Sequence, residues 1–138
     1  MKNYYRVMLG KQSAHAAECF SGNYIGVGAD GTTAIGNDNN GIRVVNDAAN
    51  NTIGGTTAAD RNVIASNNAN YGIFVSGAGA FSNRVSGNYI GTDATGNTGV
   101  GADFIGIALF NSGDNNTIGG AAVNAGNVFS SASSTAQA

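Results

Sequence analysis

The sequence contains no proline and no tryptophan, and it has one cysteine and one histidine. A single cysteine excludes a disulfide framework within the chain. Only 10% of the residues are charged, and the six lysines and arginines are scattered singly. Without a basic patch, neither nucleic acid nor an anionic membrane surface is an expected partner. No apolar run reaches the 18 residues typical of a membrane span, and the first residues lack the continuous apolar core of an export signal.

Glycine and asparagine are the residues that the sequence has in excess. It contains 22 glycines and 20 asparagines in 138 residues. Turn-forming residues at this density predict many short segments rather than long helices. The length is typical of one domain.

A repeat with an offset of 65 residues and no gaps dominates the chain. Residues 22–26 (Gly-Asn-Tyr-Ile-Gly) recur at 87–91, and residues 50–55 (Asn-Asn-Thr-Ile-Gly-Gly) recur at 115–120. A fixed period of this size is typical of a solenoid, in which each repeat stacks on the next.

Each 65-residue unit contains two smaller units, and each of these carries three short motifs in the same order. The first motif, Gly-Ile-x-(Val/Leu), begins at Gly41, Gly72 and Gly106. The second, Asn-x-(Ile/Val), begins at Asn51, Asn83 and Asn116. The third, Asn-x-(Ile/Phe), begins at Asn23, Asn62, Asn88 and Asn127. Three motifs in each turn predict a triangular coil of parallel strands, about four rungs high.

Alternation within the motifs predicts which side chains point inward. The predicted interior consists of aliphatic ladders, in which each residue stacks on its equivalent: Ile42, Ile73 and Ile107 with Val44, Val75 and Leu109; Ile53, Val85 and Ile118; and Ile25, Ile64, Ile90 and Phe129. The asparagine columns are interpreted as structural, because asparagine bonds to local backbone and tolerates left-handed φ/ψ at a bend. Loops of unequal length at alternate corners predict two different sides of the solenoid.

These motifs resemble the bacterial right-handed parallel β-helix repeat proteins, over about residues 18 to 130. The resemblance implies an all-β, three-sheet parallel β-helix of the pectate-lyase-like type, usually found in secreted or surface-attached proteins. Members of the family have varied activities, so the resemblance implies no particular reaction.

Residues 1–20 lack the repeat signature and resemble the start of an unrelated group of bacterial restriction-associated proteins. The rest of that group's pattern is missing, so its nuclease-related activity is not carried over. The predicted organisation is a cap segment over residues 1–20, β-helix repeats over 21–130 and a disordered tail over 131–138. Residues 13–20 are predicted to form a short capping helix, with Ser13 as its N-cap. Sliding the repeat offset back places Val7 opposite Gly72 and Phe20 opposite Val85, as an incomplete first rung.

Candidate ligand-binding residues lie on one side of the predicted coil. Tyr24 and Tyr89 stand in an outward column with two valines, and exposed aromatic rings are a common platform for sugars. Asp93 and Asp103 lie in the long loop that follows the second tyrosine. The alternative interpretation is that this glycine-rich loop folds over the tyrosine column.

No catalytic, metal or cofactor constellation is recognised. His15 and Cys19 would share a helix face, but two ligands without a third make a weak metal site, and we interpret both as cap residues. The carboxylates mostly stand beside glycine, asparagine, alanine or threonine, as turn residues do.

The sequence therefore predicts a non-enzymatic structural or interaction module of a surface or secreted β-helix repeat protein, with carbohydrate as one ligand class and protein as another. Two alternatives stay open. One is a carbohydrate-active β-helix enzyme, whose acidic residues would be Asp93 and Asp103. The other is a self-assembling fibre unit that stacks end to end through exposed strand edges and apolar side chains.

Overall fold

A computed structural model describes residues 7–9, 17–67, 71–101 and 105–130. All regular secondary structure in these ranges is β-strand. The twelve strands are β1 (Val7–Leu9), β2 (Cys19–Phe20), β3 (Tyr24–Ile25), β4 (Ile42–Val44), β5 (Thr52–Gly54), β6 (Val63–Ile64), β7 (Tyr71–Ser76), β8 (Arg84–Ser86), β9 (Tyr89–Ile90), β10 (Ile105–Phe110), β11 (Thr117–Ile118) and β12 (Val128–Phe129).

The strands form three parallel sheets, and consecutive strands enter different sheets. Sheet A has the order β1-β4-β7-β10, sheet B the order β2-β5-β8-β11 and sheet C the order β3-β6-β9-β12. Each group of three consecutive strands is therefore one turn of a coil, and the described residues make four turns. We call these turns rungs 1 to 4, from β1–β3 to β10–β12. This arrangement confirms the predicted all-β parallel β-helix of four rungs with three strands each.

The register between rungs places equivalent residues on top of one another. Ile42 pairs with Ile73, which pairs with Ile107 in the next rung. Ile53 and Val85 stack in sheet B in the same way. In rungs 2 and 3 the inward side chains are almost completely buried and form one cluster, as predicted. Burial of each such side chain contributes roughly 1.5–3 kcal/mol, so the stacked aliphatic ladders are the main stabilising feature of the coil.

Two columns of asparagine side chains run parallel to these ladders, at the entrance to sheets B and C. Asn51 donates through Nδ2 to Oδ1 of Asn83 over 3.0 Å, and Asn83 donates in the same way to Asn116 over 3.1 Å. The second column continues through all four rungs, from Asn23 through Asn62 and Asn88 to Asn127. The asparagines are structural, but they act by linking rungs through their amides.

The predicted reason for the asparagines was only partly right. The left-handed backbone lies one residue earlier, at Asn50 (φ 61°), Asn115 (φ 62°) and Gly87 (φ 67°). At these three corners the bend is made by the preceding residue, whereas Arg61 and Gly126, which precede Asn62 and Asn127, do not have left-handed backbone.

The predicted capping helix over residues 13–20 is not supported. Residues 13–16, including Ser13 and His15, lie outside the described residues, and Cys19–Phe20 form strand β2. The pairing of Phe20 with Ile53 extends sheet B by one rung, because it offers an apolar side chain in register with the interior ladder. Strand pairing here replaces the helix favoured by local propensity.

The predicted register of the first rung was correct in sheet B and wrong in sheet A. Val7 pairs with Ile42, and therefore aligns with Ile73 rather than with Gly72. Thirteen positions separate Val7 from Phe20, whereas twelve separate Ile73 from Val85. One additional residue between the strands of sheets A and B moves the register by one.

Candidate functional site

Two hairpin loops of the same design cover one side of the β-helix. They comprise residues 26–36, after β3, and residues 91–101, after β9, and we call them hairpins 1 and 2. Each is closed by one antiparallel bridge, Val27 with Ala34 in hairpin 1 and Thr92 with Gly99 in hairpin 2. The hairpins also contact each other, since Ala94 N donates to Gly31 O over 2.8 Å. They form a continuous ridge across rungs 1 to 3.

The two candidate tyrosines lie beneath this ridge in different surroundings. The Tyr24 side chain is 45% exposed, and its ring lies against Gly31 of hairpin 1, where an added Cβ would be 3.2 Å from the ring. Tyr89 is half-buried beneath Gly96 of hairpin 2. The Arg61 guanidinium also covers it, 4.1 Å from the ring centroid. The two rings therefore do not form one uniform exposed platform.

Val63, which stands between the two tyrosines in register, is buried although it points outward. It is 2% exposed and packs with Val27, Ala65 and Val100 in a second apolar cluster. The hairpins supply two of these residues and so create a small core outside the coil. Sequence reasoning placed Val63 in an exposed column, because the period of two within a strand contains no information on loops that fold back over it.

The carboxylate of Asp93 is used within hairpin 2. Asp93 is 6% exposed and accepts hydrogen bonds from Thr95 Oγ1 at 2.6 Å and from Thr95 N at 3.0 Å. The Thr95 hydroxyl, more than any other group, lowers the pKa of this carboxyl. Asp103, the second predicted acidic residue, lies outside the described residues.

Asp30 plays the corresponding role in hairpin 1. Its carboxylate accepts hydrogen bonds from Thr33 Oγ1 and from the backbone N–H groups of Thr32 and Thr33, both at 2.9 Å. The Thr33 hydroxyl and these N–H groups lower the pKa of Asp30 to about 2. Among residues 17–67, 71–101 and 105–130, no three His, Cys, Asp or Glu side chains lie close enough together to hold a metal ion.

A concavity lies at the rung 1 end of the ridge. Its volume is about 380 Å³, and its lining includes Tyr24, Ile25, Val27 and Ile35. Most of the surface is apolar, and Ile35 is itself 37% exposed. The N-terminal end of the coil therefore presents an apolar depression beside the hairpin ridge.

The opposite end of the coil presents apolar side chains that would be interior in a longer helix. Leu109, Ile118 and Phe129 are 42%, 44% and 44% exposed. Their equivalents one rung earlier are Val75, Val85 and Ile90, which are at most 2% exposed. Rung 4 has the side-chain pattern of an interior rung without a neighbour on its outer side among the described residues.

Comparison with protein-family models, curated proteins and solved structures finds no match to this chain. The resemblance to pectate-lyase-like repeat proteins therefore stays a prediction beyond the parallel β-helix itself. Within the described part of the chain, no helix has the length and apolar character needed to cross a membrane.

Proposed function

We propose that this chain is a non-enzymatic structural and interaction module of β-helix type, and that the open face of rung 4 is its association surface. The observation that carries the proposal is the exposure of Leu109, Ile118 and Phe129 at positions that are buried in rungs 2 and 3. Unpaired parallel strand edges combined with apolar side chains strongly favour the addition of a further strand layer. A strand layer supplied by another molecule would pair with these strand edges and bury the apolar side chains.

The test is the molar mass of the purified chain by size-exclusion chromatography with light scattering, over a concentration series. We expect the mass of the wild type to rise with concentration. Phe129→Lys places a charge on this exposed face, so its mass should stay at that of one chain. The control is Val123→Lys, because Val123 is 83% exposed on the loop before β12 and its equivalent in rung 2, Ala58, is exposed as well. This variant should associate like the wild type.

A mass that does not change with concentration in the wild type would contradict the proposal. Equal association of wild type and Phe129→Lys would also contradict it, since association would then use another surface. Far-ultraviolet circular dichroism of both lysine variants verifies that the strands are retained.

The family and setting of this module form a further part of the proposal. Crossovers between parallel strands are right-handed in about 98% of proteins, which supports a right-handed coil. With the motif resemblance, this supports a pectate-lyase-like repeat protein located at a cell surface or secreted. Export of the full-length gene product, followed by fractionation of the producing cells, tests the location.

Carbohydrate binding is a second candidate function, supported by the exposed Tyr24 ring beside the apolar concavity. Sugar rings stack on exposed aromatic faces. Titration with soluble polysaccharides, followed by tyrosine fluorescence, should give a saturable change that Tyr24→Ala removes and Tyr89→Phe keeps. The absence of a fluorescence change in both the wild type and Tyr89→Phe would exclude binding of the polysaccharides used.

The enzyme alternative depends on the acidic residues of the ridge. Glycoside hydrolysis needs two carboxylates that face the same bond, whereas Asp93 is engaged with Thr95 in its own hairpin. Turnover of acidic polysaccharides by the wild type that is lost in Asp93→Asn and in Asp103→Asn would favour an enzyme. Turnover that neither substitution changes would exclude these residues as its catalytic pair.

A further inference from the structure

The four rungs are of two types, which alternate. In rungs 1 and 3 the corner between sheets B and C is short, at residues 21–23 and 87–88. In rungs 2 and 4 the same corner is a long loop, at residues 55–62 and 119–127. Because the pattern returns every second rung, a rung that followed rung 4 would be of the rung 1 type.

The contact between rungs 2 and 3 shows how a rung of the rung 1 type packs on a rung of the rung 4 type. Asn51 and Asn62 of rung 2 donate through their Nδ2 groups to Asn83 and Asn88 of rung 3, over 3.0 Å and 2.9 Å. Their backbone N–H groups donate to the same oxygens. Rung 2 therefore presents donors on its outer side, and rung 3 presents acceptors.

Rung 4 presents one such side-chain donor, at Asn127, with no rung beyond it in the described part of the chain. Asn88 uses Nδ2 both for Ile53 O and for Asn127 Oδ1 of the next rung. Asn127, its equivalent in rung 4, donates through Nδ2 to Val85 O and to no other described residue. One N–H of the Asn127 amide thus points to where a further rung would lie, whereas Nδ2 of Asn116, in the other column, already donates to Ala80 O and to Gly113 O of its own rung.

Rung 1 presents matching acceptors on its outer side. The Asn23 Nδ2 group is bonded to Ser21 O and to Asn62 Oδ1, which leaves Asn23 Oδ1 as an acceptor. Glu18 stands in the first column where other rungs have asparagine, since its N–H donates to Asn51 Oδ1. A carboxylate can only accept hydrogen bonds, and charge-assisted bonds are the stronger ones. The two ends of the coil are therefore complementary in hydrogen bonding.

We propose that rung 1 of a second copy of this chain stacks on rung 4, head to tail, in the register of rungs 2 and 3. The inference rests on the proposed function and names the partner of its association surface. In this register Val128 and Phe129 meet Tyr24 and Ile25 of the next copy, where the apolar concavity lies. Hairpin 2 meets hairpin 1 of the next copy across the same two-rung interval that separates the hairpins within one chain.

The assembly has no fixed end. A head-to-tail contact joins two different surfaces, so each added copy leaves one rung 1 and one rung 4 available. Copies therefore extend one continuous β-helix, and the product is a filament rather than a closed dimer.

A disulfide between the two ends tests this arrangement. Thr52 of rung 2 pairs with Arg84 of rung 3. By the same register, Thr117 of rung 4 pairs with Cys19 of the next copy, and Cys19 is a free, exposed thiol. Neighbouring strands are about 4.8 Å apart, within the Cα separation that a disulfide spans. Oxidised Thr117→Cys should give a ladder of covalent multimers on a non-reducing gel, with the introduced thiol linked to Cys19 by peptide mass mapping.

The control variants separate this arrangement from others. Val123→Cys carries a thiol on an exposed loop outside the register and should give no ladder. Cys19→Ser combined with Thr117→Cys should also lose it. Dimers that persist in this double variant would show tail-to-tail contact through rung 4, which overturns the head-to-tail inference while the association surface stands. A monomer in light scattering that forms no link would overturn both.

Gly119→Ala tests the register without adding charge or a thiol. A Cβ at Gly54, the equivalent in rung 2, would lie 2.1 Å from Ser86 O of rung 3. At Gly119 the nearest described atom is 3.8 Å away, so the single chain has space for the methyl group. In the proposed filament that methyl group would meet Ser21 O of the next copy, and association should weaken about tenfold or more.

The matched control is Gly126→Ala. The equivalent of Gly126 in rung 2 is Arg61, so the contact between rungs 2 and 3 already accommodates a larger side chain at this position. No atom lies within 4 Å of a Cβ added at Gly126. Association of Gly126→Ala should equal that of the wild type. Unchanged association of Gly119→Ala, with retained circular dichroism, would overturn the proposed register.

Discussion

Asn62 donates through Nδ2 to Oδ1 of Asn88 over 2.9 Å, and both side chains are completely buried. The amide is suited to this column because it offers a donor and an acceptor at once. Each buried asparagine can therefore bond to the rung before it and the rung after it. A buried polar side chain is costly unless it is bonded in this way, so the columns fix the order and register of the rungs.

We predict that Asn88→Ala destabilises the protein by roughly 3–5 kcal/mol, because several buried partners lose their bonds at once. These partners include Asn62 N and Nδ2 and Ile53 O, whereas Asn127 Oδ1 keeps its bond from the backbone N–H of residue 88. The measurement is the free energy of unfolding in urea. Asn97→Ala, the same change at an exposed asparagine, should alter it by less than about 0.5 kcal/mol. Equal effects of the two substitutions would contradict a structural role for the column.

The sequence predicted most of the coil because the coil is periodic. Motifs such as Gly41-Ile42 and Asn51-Thr52-Ile53 recur 65 residues later. Residues separated by this repeat distance occupy equivalent positions in two rungs of the stack. The first rung was harder to predict, since Cys19–Phe20 follow residues with helical propensity in the sequence and take their strand conformation from pairing with Thr52 and Ile53. Tertiary pairing overrides local propensity where the repeat signature fades.

We predict that Gly54→Ala and Gly119→Ala differ strongly in stability although they are equivalent in the repeat. Both glycines have left-handed backbone, with φ of 86° and 82°, which costs alanine about 1–2 kcal/mol. Only at Gly54 would the methyl group also collide with the next rung, at Ser86 O. Gly54→Ala should therefore cost about 2–5 kcal/mol and Gly119→Ala about 1–2 kcal/mol.

Unfolding in urea at low protein concentration measures both values without a contribution from association. The ratio of the two losses in unfolding free energy tests whether rung 3 packs on rung 2 as closely as in the structure. Similar losses for the two variants would mean that backbone strain alone decides the outcome and that the close approach at Ser86 is relaxed in solution.

The candidate site was less predictable than the fold, because it depends on loops that fold back over the coil. The tyrosine column was visible from spacing, but the cover that Arg61 places on Tyr89 comes from the loop before β6. Nothing in the repeat indicates this contact, since the equivalents of Arg61 and Tyr89 in the next unit are Gly126 and a position beyond the chain. Contacts such as that of Arg61 with Tyr89 involve residues that differ between repeats, so the repeat pattern does not predict them.

We predict that Arg61→Ala lowers stability by about 1–2 kcal/mol, from the lost cation–π contact and hydrogen bond. The Arg61 guanidinium lies 4.1 Å from the Tyr89 ring centroid, and its Nε donates to Gly87 O over 3.2 Å. Thermal unfolding measures the loss, and near-ultraviolet circular dichroism reports the changed surroundings of the tyrosine. Arg84→Ala removes an exposed arginine and should leave both signals nearly unchanged. An unchanged tyrosine signal in Arg61→Ala would show that the guanidinium does not rest on this ring.

The last prediction concerns acid, and it follows from the hairpin carboxylates. The pKa of Asp30 is lowered from 3.8 to about 2, first by the Thr33 hydroxyl and then by backbone N–H groups. A carboxyl with a lowered pKa in the folded state stabilises that state above its unfolded pKa, and the stabilisation is lost as pH falls through the folded pKa. The melting temperature of the wild type should therefore fall between pH 4 and pH 2, with a further contribution from Asp93, whose pKa is lowered as well.

Asp30→Asn removes one of these two contributions, so its melting temperature should start lower near neutral pH and approach that of the wild type near pH 2. Thr33→Val keeps the carboxylate but removes its hydroxyl donor, which should raise the pKa of Asp30 towards its ordinary value and move the acid transition to higher pH. The titration of the Asp30 carboxyl by NMR follows this shift directly. If the melting temperatures of the wild type and Asp30→Asn differ by the same amount at every pH from 7 to 2, this carboxylate does not stabilise hairpin 1.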